Sequence, residues 1–162
     1  MSILESRTDH VRERFADDAS AAAVRVRLLR LSDYDHGFLE TLSALRPTAM
    51  SREQFAEVFH SLGDHCRVWV AEIDGVVAAT TTLLIERKFI HAGGIVGHVE
   101  DVAVNRAFQG RGLGKVLMEH VIAEARAAGC YKVILDCGEH VQEFYKRLGL
   151  RANEICMRID LA

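Results

Sequence analysis

The run Gln109-Gly110-Arg111-Gly112-Leu113-Gly114-Lys115 has the residue types and spacing to bind an anion. Its glycines let oxygen atoms approach the backbone, and Leu113, Val116, Leu117, Val121 and Ile122 then recur at the i, i+3, i+4 spacing of one helical face. The helix predicted here starts inside the glycines. Its first N–H groups have no intrahelical acceptor, and its dipole adds about half a positive charge at that end, so the turn is expected to face a phosphate.

Spacing narrows which phosphate. A magnesium-nucleotide loop of the G-x-x-x-x-G-K-[ST] kind needs four residues between its glycines, whereas Gly110 and Gly114 are separated by three and Val116 stands where the hydroxyl belongs. A dinucleotide loop, G-x-G-x-x-G, would need glycine at Lys115. Neither pattern fits.

The elements that must position this loop are legible on both sides of it. Val24 to Leu31 alternates at first and reads as a strand, and Ser32 and Asp33 are cap candidates for a helix through Phe38, Leu39, Leu42 and Leu45 that Pro47 ends. Ser51-Arg52-Glu53-Gln54 is a capping-box pattern, opening a second helix with Phe55, Val58, Phe59 and Leu62 on one side. Val68 to Ile73 and Val76 to Ile85 are predicted strands joined at Asp74-Gly75, the strongest hairpin signal in the chain. Gly97 to Val104 is a third strand, leading into the glycine loop and its helix. Lys132 to Cys137 then has the apolar centre of a strand covered on both faces. A short helix from about Glu139 carries Val141, Phe144, Tyr145 and Leu148, and Glu154 to Ile159 is expected as a last strand. This order predicts an α/β fold: a mixed central sheet, antiparallel in its N-terminal strands, with flanking helices. Residues 1–23 read as an N-terminal extension and residues 24–162 as one domain.

Composition excludes several classes of function. At 162 residues the chain can bury about 70% of the surface its unfolded form exposes, so no second domain is needed. A formal charge of −3 gives no general basic field for nucleic acid. The longest apolar stretch, Val76 to Ile85, contains three threonines and is too short to cross a bilayer. The eight histidines are scattered, with no metal-ligand spacing. Cys66, Cys130, Cys137 and Cys156 form no C-x-x-C and no secretory signal is seen, so reduced thiols in a cytoplasm are expected.

Q-G-R-G-L-G-K after a strand ending V-A-V-N resembles the acyl-coenzyme A loop of the GNAT superfamily of N-acetyltransferases. Further segments are E-R-K-F-I-H at Glu86 to His91, G-H-V-E-D-V-A-V-N at Gly97 to Asn105, G-C-Y-K-V-I-L-D-C at Gly129 to Cys137 and F-Y-K-R-L-G at Phe144 to Gly149. These are similar to the branch of that superfamily acting on glucosamine 6-phosphate. Over the first 84 residues the similarity lies mainly in the order of elements.

The resemblance implies the GNAT fold, acetyl-CoA as co-substrate, a small-molecule amine as substrate and an interlocked homodimer whose sites take residues from both subunits. By position, Val102, Ala103 and Val104 would be backbone partners of the pantetheine and acetyl group, and Gln109, Gly110, Arg111, Gly112, Leu113, Gly114 and Lys115 the pyrophosphate cradle. Lys88, Phe89, Ile90, His91, Glu100, Asp101, Tyr131, Lys132 and Asp136 fall where the family lines its sugar-phosphate site, and Tyr145 where it keeps a tyrosine beside the coenzyme sulfur. Acetyl transfer needs a neutral amine and a thiolate able to leave. Glu100, Asp101 and Asp136 at strand ends are therefore the candidate bases, and Tyr145 the candidate acid for a thiol of reference pKa about 8.5. His91 and His98 are read as structural hydrogen-bonders or substrate contacts, and Cys130 and Cys137 as small buried residues. On the substrate side the chain departs from the pattern. Asp160 stands where the family's last strand carries an arginine, with Arg158 two residues earlier on the same strand face; Arg46 replaces a threonine, and Val141 an asparagine. These departures suggest a phosphate clamp rebuilt from Arg46 or Arg158. They also leave open a different small amine, phosphorylated or acidic, or a coenzyme A-binding domain without transfer activity.

Overall fold

The chain enters its sheet at β1 (Arg25–Leu28), which pairs antiparallel with β2 (Cys66–Ile73) across two intervening helices. The structure, a computed structural model, describes residues 23–161; apart from Ala23, the N-terminal extension read from the sequence lies outside the described residues. The single helix predicted after Ser32 is two pieces. A 3₁₀ turn at Leu31–His36 ends on Gly37, whose φ of +87° disfavours residues with a Cβ, and α1 (Phe38–Leu42) starts afresh from there. α2 (Arg52–Ser61) has the expected capping box, with Ser51 Oγ accepting from the Gln54 amide at 3.2 Å and Gln54 Oε1 accepting from the Ser51 amide at 2.8 Å.

Asp74 and Gly75, at φ +49° and +79°, form the predicted two-residue turn, and β3 (Val76–Arg87) returns antiparallel to β2. A tight turn the sequence did not announce, α3 (Ile90–Gly93), has His91 and Ala92 in left-handed backbone angles. β4 (Ile95–Val104) then runs antiparallel to β3, α4 (Leu113–Ala127) follows the glycine loop, and β5 (Cys130–Leu135) lies parallel to β4. α5 (Gln142–Arg147) completes the helices. The sheet order is β1-β2-β3-β4-β5, a mixed sheet with its one parallel pair at the end.

Helices cover both faces of the sheet. Val70 and Ala71 are neighbours on β2 and point opposite ways, Val70 packing with Phe38, Phe55 and Val77, and Ala71 with Leu113 and Leu117 of α4. Farther along α4, Met118, Val121 and Ala125 bury against Leu83 and Val99. Each large side chain so buried contributes about 1.5 to 3 kcal/mol. α4 approaches closely because Gly97 has no side chain: a Cβ there would lie 3.1 Å from Ala125 Cβ. Thr80 and Thr81 are buried without loss, since their hydroxyls donate to the Trp69 and Glu100 carbonyls at 3.0 and 3.1 Å. The Trp69 and His120 rings meet edge to face, centroids 4.3 Å apart, and Trp69 Nε1 and His120 Nε2 are buried with no hydrogen-bond partner among the described residues. Burial pushes the His120 imidazole below its usual pKa, with Glu124 pulling the other way.

An ionic anchor ties β1 to its surroundings. Arg27 donates to both oxygens of Asp33 at 2.8 Å and, through Nε, to Glu72 at 2.6 Å, while Asp33 also accepts the Arg30 amide at 2.8 Å. Asp33 is 1% exposed. Burial alone would raise its carboxyl, but the hydrogen bonds and charge of Arg27 and Arg30 prevail and hold it below the usual carboxylate range.

The C-terminal end departs from expectation. Glu154–Ile159 forms no strand; residues 151–161 run irregular and exposed, because a strand needs a neighbour to pair its backbone groups and no ladder forms there. β5 is consequently an edge strand with Tyr131 and Ile134 exposed, not covered on both faces, and Cys137 is exposed and Cys130 only half-buried. Arg158 therefore lies on no strand face; it pairs with Asp160, its Nε donating to Asp160 Oδ1 at 2.8 Å. No helix among the described residues is long and apolar enough to cross a membrane.

Candidate active site

The site starts from an irregularity in β4. Thr80 pairs with Ala103 but Thr82 pairs with Glu100, so β4 carries one extra residue opposite Thr81, and Asp101 takes a φ of +52° to accommodate it. A non-glycine residue held there costs of order 1 kcal/mol or more and persists only because both flanks of the strand are paired. The parallel ladder with β5 ends at Val99 and Leu135, whereas β4 runs on to Val104. Beyond that point the two strands part, and the β5-side edge of Glu100–Val104, including Val102, Ala103 and Val104, has no strand partner among the described residues. Clefts at the carboxyl ends of parallel strands are the usual place for a ligand in α/β sheets.

The glycine loop closes one side of this cleft. Gly110 and Gly112 sit at φ +78° and +77°, and a Cβ added at either would meet nothing within 4 Å, so the backbone angle and not crowding calls for glycine. Gly114 is different: a Cβ would lie 3.3 Å from Phe144 Cζ on α5. Leu113 anchors the first turn of α4 in the core, and Gly112 provides no side-chain cap, so the first amides of the helix are open to an anion. Around them, Arg111 stacks over the Phe108 ring at 5.2 Å, Gln109 donates to the Val104 carbonyl at 3.3 Å and Lys115 pairs with Glu119 at 2.8 Å.

Ionisable groups gather where β4 and β5 part. His98 Nε2 lies 3.0 Å from Glu100 Oε1, and donor atoms of His98, Glu100 and Asp136 all lie within 4.8 Å of one another. Asp136 Oδ2 accepts the Cys156 thiol at 3.3 Å, and that hydrogen bond, reinforced by the carboxylate charge, holds the thiol above its usual pKa. Asp136 and Tyr145 line one open trough of about 860 Å³ with Tyr131, Lys132, Cys137 and Cys156. Tyr145 is half-buried against the α4 core beside Phe144, and burial, with a smaller push from Cys137, raises its phenol above the usual value. It therefore stays protonated at neutral pH.

Residues 29–150 match the acetyltransferase (GNAT) family. The chain belongs to that family. It is 40% identical over 152 residues to glucosamine 6-phosphate N-acetyltransferase 1 of Oryza sativa subsp. japonica, a span covering 90% of this chain and 92% of the relative. It is 37% identical over 130 residues to the glucosamine 6-phosphate N-acetyltransferase of Candida albicans, covering 77% and 87%. Its fold superimposes on the crystal structure of the Arabidopsis thaliana glucosamine-6-phosphate N-acetyltransferase with a TM-score of 0.83 at 36% identity, over 86% of this chain and 99% of that one. The mixed sheet with its flanking helices is thus the GNAT fold, and GNAT enzymes use acetyl-CoA as co-substrate. An open amide cradle at α4 and an unpaired β4 edge suit the pyrophosphate and the amide-bearing arm of such a molecule.

The remaining positions singled out by the GNAT resemblance fall into separate groups. His91 stacks on Tyr131 with centroids 4.4 Å apart, and Lys132 Nζ lies 5.9 Å over the same ring, so α3 and β5 make one aromatic and basic patch. Lys88 instead pairs with Glu86 at 2.9 Å, and Phe89 and Ile90 project into solvent. Arg46 follows α1 beside a second hollow, about 530 Å³, lined by Glu40, Pro47, Thr48, Asn105 and Arg106. Neither it nor Arg158 lines the trough. Sequence reasoning left His98 ambiguous and passed over Cys156. The i, i+2 spacing of His98 and Glu100 on one strand face was the available signal; nothing local links Cys156 to Asp136.

Proposed function

We propose that residues 24–162 act as one domain that transfers acetyl from acetyl-CoA to the amine of glucosamine 6-phosphate by direct attack. The observation that carries this reading is the parting of β4 from β5 with Glu100, Asp136 and His98 at its mouth and the glycine cradle alongside, in a chain whose relatives in rice and Candida have that name. In this reading Glu100, Asp101 or Asp136 holds the substrate ammonium and accepts its proton, directly or through water. The exposed β4 amides near Val102 hold the carbonyl oxygen as negative charge grows on it. Tyr145 gives its phenolic proton to the departing sulfur. Gln109 through Lys115 hold the pyrophosphate, and Val141 supplies no polar contact of its own.

The sugar phosphate is the point of departure from the family pattern. Lys132 and Tyr131 line the same trough as Asp136, farther back along β5, with His91 against Tyr131 and Lys88, Phe89 and Ile90 on the neighbouring turn, while Arg46 and Arg158 are the proposed substitutes for the missing arginine. A guanidinium grips phosphate with two parallel hydrogen bonds, worth about 1.5 to 3 kcal/mol when charge-assisted. Thiol release is expected to favour glucosamine 6-phosphate over glucosamine, polyamines and peptide amines, and Arg46→Ala to raise KM for the phosphorylated amine about 10-fold with little effect on acetyl-CoA. Preference for a non-sugar amine sinks the substrate assignment. Parental KM in Arg46→Ala, Arg158→Ala and the double variant assigns the phosphate to the lysines or backbone.

The proposal includes a homodimer in the cytoplasm, with no nucleic acid or membrane partner. Ile155, Met157, Ile159 and Leu161 alternate with polar residues and are each 79 to 89% exposed, beside a β5 edge that carries no further strand among the described residues. Such an apolar ridge is costly in water and is relieved by a second copy. Met157→Asp with Ile159→Asp is expected to leave the circular-dichroism spectrum unchanged and yield monomers in sedimentation velocity. A dimer that survives both substitutions rules out this ridge as the contact.

A further inference from the structure

We propose that His98, Glu100, Asp136 and Cys156 form a binding site for a borderline-soft divalent cation, of the zinc or cobalt kind, at the mouth of the cleft between β4 and β5. Three separate segments bring the donors together: the middle of β4, the residue following β5 and the C-terminal run. Donor atoms of the first three residues lie within 4.8 Å of one another, and Cys156 Sγ lies 3.3 Å from Asp136 Oδ2. Ligands about 2.0 to 2.3 Å from a tetrahedral zinc are about 3.3 to 3.7 Å apart, so binding requires side-chain rotations that draw the first three donors closer and turn Cys156 toward them. A cation here would replace the close His98–Glu100 contact and the hydrogen bond that the Cys156 thiol donates to Asp136.

The donor types decide the class of ion. Magnesium and calcium take oxygen ligands and leave imidazole and thiol aside, whereas one imidazole nitrogen, one thiolate sulfur and two carboxylates suit zinc and cobalt. The two carboxylates oppose the ion's charge with two negative charges, and a thiolate adds a third once its proton is released on binding. Glu100 and Asp136 are also candidate bases in the proposed reaction. On that reading, and only on it, the bound cation blocks the amine and inhibits transfer.

The test uses the full chain with metal alone. Cobalt titration is expected to saturate at one ion per chain with tetrahedral visible bands and a thiolate charge-transfer band in the near ultraviolet. Cys156→Ser abolishes the charge-transfer band and Cys66→Ser retains it. Zinc affinity falls at least about 10-fold in both Cys156→Ser and His98→Ala, since even outer-shell changes cost 10- to 100-fold. Absence of a charge-transfer band, or zinc affinity unchanged in both variants, overturns the site. In the transfer assay, zinc inhibits, a chelator reverses it, and Cys156→Ser needs about 10-fold more zinc for half inhibition relative to its own metal-free rate. Zinc that binds through these residues without slowing transfer overturns the overlap with the amine site. A parent chain with no transfer activity overturns the proposed function and leaves the metal titration to be judged alone.

Discussion

Tyr145→Phe is expected to lower kcat about 30- to 900-fold while acetyl-CoA affinity stays near the parental value. The loss corresponds to about 2 to 4 kcal/mol at the transition state, with removal of one oxyanion donor as the guide. Two structural facts make the substitution clean. The ring is half-buried between Phe144 and the α4 core, so phenylalanine keeps the packing, and burial raises the phenol's pKa, so the parent group is a proton donor at neutral pH. In the proposed mechanism the hydroxyl serves a sulfur that becomes charged only as the bond breaks, so kcat is expected to fall while ground-state binding does not. Steady-state kcat, with a single-turnover measurement to confirm that chemistry limits, checks it. Unchanged kcat under chemistry-limited conditions removes Tyr145 from the mechanism.

The largest effect on stability is expected from Arg27→Met. Methionine retains the apolar stem but strips Asp33, 1% exposed, of both its guanidinium hydrogen bonds. Breaking a buried pair from one side costs about 3 to 5 kcal/mol, or roughly 6 to 20 °C in Tm for a chain of this size. The pH dependence follows from the direction of the Asp33 shift. Its folded pKa is held low, so the stabilisation it confers is full above the unfolded aspartate value of about 3.9 and is lost as pH falls through the folded value. In the variant the same carboxyl is buried without its partner and its pKa rises, so the gap between parent and variant is widest at neutral pH and narrows in acid. Urea unfolding at pH 7 and pH 4 measures both. A deficit below about 1 kcal/mol at pH 7 shows that the pair is dispensable.

What the sequence disclosed and what it hid divide by the range of the interaction. The Asp74-Gly75 turn, the Ser51 capping box and the α4 helix are set by residues within four positions of one another, and all three stand as read. The β4 bulge depends on pairing with β3, yet it left a trace. Val99, Val102 and Val104 all pack toward α4, and the step of three between the first two is a phase slip in a strand otherwise repeating every two residues. The last strand expected at Glu154–Ile159 does not form: Ile155, Met157 and Ile159 alternate as in a strand, but a pattern does not supply the neighbour that a strand requires. The turn at Gly110 and Gly112 and the start of α4 were legible because they rest on local backbone angles and helix periodicity. The cluster of His98, Glu100, Asp136 and Cys156 was only partly so, since it forms where parallel strands and a distant tail converge.

Trp69 is the chain's one tryptophan, and its indole lies edge to face with the His120 imidazole of α4. Indole emission, excited at wavelengths that tyrosine does not absorb, therefore reports a single junction, the seam between the sheet and the helix that begins at the glycine cradle. A protonated imidazole drains the excited indole, and a helix lifted from the sheet leaves the ring in water, where its light shifts to the red. Brightness reads the charge on His120, and colour reads whether α4 is seated.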